Sequence, residues 1–251
     1  MALLETEDLD KHYSGLVAVD GVSFSIESGE LVGLIGPNGA GKTTLFDCLT
    51  GVQKPTDGTV RFDGTDVTDL PPHGHAERGM IRTFQHSGVL PTLTVKENVL
   101  VAAPDHPGEQ MFHSIARTDD AKTFEEDIQG RAEDLLDTFE LEDRYDHYGD
   151  ELSGGQRQLL EFARSLMLDP TLMLLDEPLA GVNPTTKQKV TSRITDMNDE
   201  GITILIIEHD IEELVEIVDR LIVMANGQII ADGTPADVVE KERVIDAYLG
   251  E

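Results

Sequence analysis

The sequence predicts an α/β fold, with a parallel-sheet core in two sequence blocks, residues 1–92 and 169–251, and a helical insertion at 93–168. Three observations predict it. Leu31–Ile35, Leu172–Leu175 and Ile202–Ile207 are short, uncharged apolar runs, as expected of strands covered on both faces. The first run feeds a glycine-rich turn and then a helical pattern, the strand–turn–helix order of an α/β unit. From about Leu93 to Leu168, β-branched runs become scarce and apolar residues take helical spacing.

The elements follow in order. Leu3–Leu9 and Val22–Ile26 read as strands, with a turn at Glu27-Ser28-Gly29-Glu30 before the buried strand Leu31–Ile35. Thr43–Leu49 reads as a helix closed by Gly51, and Thr59–Phe62 as a short strand between Asp57-Gly58 and Asp63-Gly64 turns. Pro104–Gly108 is a loop. Gly130–Leu141, apolar at Leu135, Leu136 and Phe139, fits an amphipathic helix, and Leu159–Leu168 a second helix. Leu221–Ala225 and Gln228–Ala231 flank Asn226-Gly227 and read as a tight hairpin. Pro235–Leu249 reads as helical.

Composition narrows the function. With 39% apolar residues the 251-residue chain can bury a large core. No apolar run approaches the roughly 20 residues of a membrane span, and Met1–Leu4 leads directly into acidic residues. The expectation is a cytoplasmic protein, soluble or peripheral to a membrane through partners. Cys48 stands alone, which excludes an intrachain disulfide and suits a small buried helix residue. The net charge of −30, from 49 acidic against 19 basic residues, repels phosphate backbones, so nucleic acid is not an expected partner. Charge spread along the whole chain suggests a surface adapted to a salt-rich cytosol, as in a halophile.

Gly36-Pro37-Asn38-Gly39-Ala40-Gly41-Lys42-Thr43, followed by Thr44, matches a phosphate-binding loop in full. Its glycines let backbone N–H groups turn toward phosphate oxygens, and the following helix adds its positive end. Lys42 is placed to reach the β- and γ-phosphates and the Thr43 hydroxyl to bind Mg²⁺. A chance glycine-rich turn would lack the strand before it and the helix after it. Leu172–Leu175 ends in Asp176 and Glu177, the first suited to hold Mg²⁺ and the second to polarise an attacking water. His209 follows the strand Ile202–Ile207, at the strand end where ligands gather in parallel sheets. His73, His75, His86, His106, His113 and His147 show no metal-ligand spacing and read as surface residues.

Leu152-Ser153-Gly154-Gly155-Gln156 resembles the signature sequence of ABC-type ATPases, and its pairing with the phosphate loop extends that resemblance to essentially the whole chain. The resemblance implies a P-loop NTPase core of ABC ATPase type with an antiparallel β subdomain and an inserted helical subdomain carrying the signature. It implies that Ser153, Gly154, Gly155 and Gln156 cover the γ-phosphate of ATP held by a second cassette, identical or paralogous. It places Tyr13 where the family stacks an aromatic on adenine. Gln85, in Arg82-Thr83-Phe84-Gln85, falls where a glutamine touches Mg²⁺ and water and links the site to transmembrane partners. His209 matches the histidine that contacts the γ-phosphate and Glu177. Many members have Asp where Asn183 stands; Asn can still hydrogen-bond across the dimer, so altered coupling rather than a dead enzyme is expected there.

Phe46-Asp47-Cys48-Leu49-Thr50-Gly51, Arg82-Thr83-Phe84-Gln85 and the final Ile245–Glu251 look like the ATP-binding subunits of branched-chain amino-acid importers. That implies permease subunits in the membrane and, indirectly, an extracytoplasmic solute-binding protein. ATPases of urea or amide import and of lipopolysaccharide export look similar. A soluble cassette protein acting on ribosomes or DNA fits less well, because this chain has one cassette, no coiled-coil insertion and a repulsive charge. A regulatory module without turnover sits poorly with Glu177 and His209.

Overall fold

The computed structural model describes residues 2–83, 88–104, 119–209 and 211–249. The loop expected at Pro104–Gly108 and the Gln85 position therefore lie outside the described residues, apart from Pro104. The chain forms two compact units: Met1–Gln85, Pro170–Ala180 and Thr191–Glu251 make the first, His86–Asp169 and Gly181–Val190 the second.

These boundaries differ from those that the sequence pattern suggests. The second unit starts before residue 93 because the Asn98 side chain accepts from Leu90 N at 2.7 Å and donates to Leu90 O at 3.0 Å. That ties residue 90 to the helix Val95–Leu100 (α3). Residues 181–190 belong to the second unit as well. There Lys189 pairs with Glu140 at 2.5 Å, and Thr186 packs so closely on Gly155 that no Cβ would fit.

The first unit holds two sheets. In the four-stranded antiparallel sheet, Ala2–Tyr13 (β1) lies between Leu16–Glu27 (β2) and Asp57–Phe62 (β4), with Thr65–Asp66 (β5) on the edge. The six-stranded sheet runs Gln228–Gly233 (β10), Arg220–Ala225 (β9), Leu31–Ile35 (β3), Thr203–Ile207 (β8), Leu172–Asp176 (β7) and Met80–Arg82 (β6). Its strands are parallel except β10, which returns from β9 through Asn226 and Gly227. Both turn residues have positive φ, 51° and 80°, as a two-residue turn matching the sheet twist requires.

β3, β7 and β8 are buried at every position, which explains why their sequences carry no alternation. The helix Lys42–Leu49 (α1) follows β3. Its Leu45, Phe46 and Leu49 join Leu4, Ile26 and Val60 of the antiparallel sheet and Leu34, Leu174 and Leu205 of the parallel sheet in one core. The parallel order brings the ends of β3, β7 and β8 to the same edge, where the site lies.

Two expectations on this unit are corrected. His75, expected on the surface, is buried at 2% exposure in the short helix Pro72–Ala76 (α2). The tail is two helices, Pro235–Val239 (α8) and Glu242–Leu249 (α9), because Thr234 starts the first with a side-chain cap and the chain turns at Glu240-Lys241. His73 is exposed and His147 half-buried, whereas His86, His106 and His113 lie outside the described residues.

In the second unit Asp119–Thr138 (α4) and Gly154–Leu166 (α5) bury one stripe each. Ala132, Leu136 and the following Phe139 are buried, as are Leu159, Leu160 and Phe162, and the rings of Phe139 and Phe162 lie 6.2 Å apart and tilted. The helix Pro184–Asp199 (α6) begins in the second unit and ends in the first, and Ile211–Val215 (α7) follows β8.

Candidate functional site

The turn from β3 into α1 is forced by its glycines. Gly36 sits at φ 153° with Met224 O only 2.1 Å from where a Cβ would be, and Gly41 at φ 103° with Ala18 O at 2.2 Å. No other residue fits either place. Gly41 occupies the cap position of α1 with no side-chain cap, so the positive end of the helix faces the loop. Lys42 is 6% exposed, and its Nζ donates to Gly36 O and, at 3.1 Å, to Pro37 O. The ammonium is thus folded into the loop that it closes.

These residues line a cleft of about 280 Å³. Asn38, Gly39, Ala40, Gly41, Lys42, Thr43 and Thr44 form its floor, and Tyr13, Leu16, Val17 and Ala18 one wall, with Glu177 and His209 completing it. Tyr13 and Leu16 flank the β1–β2 turn and are exposed at 39% and 65%, an apolar ledge beside the loop. Lys11 Nζ stands 5.0 Å from the centre of the Tyr13 ring, so this ring carries a cation on one face.

Glu177 follows β7 in a left-handed conformation, φ 52°, which costs a non-glycine residue roughly 1 kcal/mol or more. Two backbone bonds hold it there: its N–H donates to Ile207 O at 3.0 Å, and its carbonyl accepts from Ala180 N at 3.1 Å. The result turns a carboxylate that is 10% exposed into the cleft, where Oε1 stands 2.5 Å from His209 Nε2. Asp176 is not part of the cleft lining. It is 5% exposed, and its Oδ2 accepts from Arg82 Nη2 at 2.7 Å.

Two contributors escape a reading of the sequence. Arg82 pairs with both Asp47 and Asp176. Glu208, 3% exposed, accepts from Leu179 N at 2.8 Å and so fixes the chain just after Glu177. A charged residue that closes or follows a short apolar run is the signal available for both, since a buried charge must find a partner.

Ser153, Gly154, Gly155 and Gln156 start α5 in the second unit. Ser153 Oγ accepts from Gln156 N at 3.3 Å while Gln156 Oε1 accepts from Ser153 N at 3.0 Å, a reciprocal cap. Gln156 therefore orders the helix start. Asn183 likewise caps a helix, accepting from Thr186 N at 3.0 Å.

A family profile described as ABC transporter matches residues 19–180. This chain belongs to the ABC transporter family. It is an ATP-hydrolysing ABC cassette, and a second profile, described as branched-chain amino acid ATP-binding cassette transporter, matches residues 228–251. A probable branched-chain amino acid transport ATP-binding protein of Archaeoglobus fulgidus is 38% identical over 250 residues, 100% of this chain and 96% of that protein. A lipopolysaccharide export system ATP-binding protein of Haemophilus influenzae is 36% identical, covering 100% and 98%. A nucleotide-free ATP-binding cassette from an ABC transporter superposes with a TM-score of 0.86 at 36% identity, covering both chains completely. Among the described residues of this cassette, no helix is long and apolar enough to cross a membrane.

Proposed function

We propose that this cassette is the motor of an importer for branched-chain amino acids or similar small polar solutes, docked on permease subunits at the inner face of the cell membrane. The observation that carries the motor is the single cleft joining the phosphate loop to Glu177 and His209. The importer assignment is supported by the match at residues 228–251 and by the archaeal relative. The Haemophilus relative favours one second reading, a motor for lipopolysaccharide export.

The residues divide the work. The loop amides, the α1 terminus and Lys42 bind phosphate oxygens, and the Tyr13–Leu16 ledge takes the base. Glu177 accepts a proton from the attacking water, while His209 Nε2, 2.5 Å from its Oε1, orients that carboxylate beside the γ-phosphate. Thr43 on the cleft floor would hold Mg²⁺ by its hydroxyl, and Asp176, at the end of β7 one residue before Glu177, would supply a carboxylate oxygen from behind the lining, both hard donors that fit the ion. When bound, the cation neutralises charge on the phosphates. Gln85 would join this shell and relay it to the permease.

Ser153, Gly154, Gly155 and Gln156 offer a helix N-terminus to the ATP of a second cassette, identical or paralogous, so turnover needs a dimer. An extracytoplasmic binding protein delivers the solute, and no nucleic acid takes part. The acidic surface suits a salt-rich cytosol.

The test is recovery of the tagged cassette from native membranes in high salt, followed by mass spectrometry. Two multi-span proteins together with a solute-binding protein are expected. Membrane subunits without a binding protein would turn the assignment to export. Ribosomal or DNA-processing proteins without a membrane subunit would overturn transport.

A further inference from the structure

Arg82 ends β6, and its side chain is only 8% exposed. Its guanidinium forks: Nη1 donates to Asp47 Oδ1 of α1 at 2.6 Å, and Nη2 to Asp176 Oδ2 of β7 at 2.7 Å. The Phe46 ring lies against it, 5.6 Å from centroid to Cζ. One cation therefore joins the helix that follows the phosphate loop to the strand that carries the acidic pair.

The geometry goes beyond cross-linking two elements. Asp176 is buried and Asp47 only partly so, and one guanidinium serves both, so the buried Asp176 carboxylate is the one that depends most on a charged partner. Lysine could not reproduce the arrangement, because an ammonium lacks the planar fork that takes two carboxylates in fixed directions. Asp47 and Phe46 hold the guanidinium from one side, so the direction of its bond to Asp176 is set. With Oδ2 committed to Arg82, Oδ1 is the Asp176 oxygen that remains for a cation.

We propose that Arg82 is a positioning residue for the cation–nucleotide complex: clamped by Asp47 and Phe46, it grips Asp176 by Oδ2 and presents Oδ1 to Mg²⁺. This rests on the reading of Asp176 as a cation ligand.

The test uses the full chain and four variants: Arg82→Met, Arg82→Lys, Asp47→Asn and the double variant Arg82→Met with Asp47→Asn. A fluorescent ATP analogue reports binding in chelator and across a Mg²⁺ titration, and Mn²⁺ paramagnetic resonance reports the cation itself. In chelator all proteins are expected to bind the analogue with affinities within about twofold of one another. The Mg²⁺ concentration for half-saturation is expected to rise about tenfold in Arg82→Met, the loss of one charge-assisted hydrogen bond, and about threefold in Asp47→Asn. Arg82→Lys restores part of the difference. The double variant is no worse than Arg82→Met, because Asp47 acts only through Arg82.

An unchanged cation requirement in Arg82→Met overturns the proposal, as does equal loss of affinity with and without Mg²⁺, which a purely structural pair would produce. Should Arg82→Met fail to fold, Asp47→Asn decides alone, since the Asp47 side chain is 24% exposed and its substitution is mild. A wild-type protein whose nucleotide binding ignores Mg²⁺ and Mn²⁺ would remove the reading of Asp176 itself, and this proposal with it.

Discussion

Glu177 illustrates how much a single position depends on its frame. Its carboxylate reaches the cleft only because the backbone turns through the left-handed region, pinned to Ile207 and Ala180. Glu177→Gln keeps the shape and the approach to His209 but cannot accept the proton. ATP binding is expected to survive while kcat falls by about 100-fold or more, the usual contribution of a general base, and a closed dimer should accumulate on size-exclusion chromatography with ATP. Turnover near the wild-type rate would remove Glu177 from that role. The loop from Gly36 to Thr44 is legible in the sequence because its parts are contiguous and its chemistry local. The Arg82 fork is not legible, because its partners lie 35 and 94 residues away and meet it only through the order of strands in the sheet. Glu208 is hidden for a similar reason, since its partner is the N–H of Leu179.

Elements buried on both faces are legible with nearly correct bounds, because β3, β7 and β8 announce themselves by composition alone. The pattern marks β1 only over Leu3–Leu9, yet the strand runs to Tyr13. Its outer half is polar and solvent-facing, and an irregularity in register between Thr6 and Leu9, with Asp8 at φ 45°, breaks the alternation. Short helices are harder still, and α2 shows the consequence: its His75 is packed against the chain after α1, where a Cβ on Gly51 would approach Nε2 to 2.9 Å. Burial holds the His75 imidazole below its ordinary pKa, helped by the nearby Arg78 charge and opposed by the Leu70 backbone. The folded state thus prefers neutral His75 more strongly than the unfolded state does. Its contribution to stability is complete above about pH 6.5, the unfolded value, and is lost as pH falls toward the depressed folded value. Melting temperatures at about pH 7.5 and about pH 5.5 should therefore differ more in the wild type than in His75→Gln. Equal differences would show that His75 contributes nothing to acid lability.

At the scale of the whole molecule, charge outweighs every local feature. Even if all 19 basic residues paired with acidic ones, 30 of the 49 acidic residues would remain uncompensated. Self-repulsion in that field is set by the screening length, about 10 Å at 0.1 M salt and about 3 Å at 1 M. The core built around α1 is ordinary in composition, so any dependence on salt is expected of the surface rather than of the packing. The melting temperature is expected to rise steeply in KCl between about 0.1 M and about 1 M, by more than about 5 °C, where each kcal/mol is worth roughly 2–4 °C in a chain of this size. The rise should then flatten, because screening is nearly complete once the Debye length falls below the spacing of neighbouring charges. A rise that continued undiminished to higher salt would point to exclusion of salt from the surface, which strengthens apolar burial in any protein. A melting temperature that stayed level or fell with added KCl would leave the acidic surface without a role in stability.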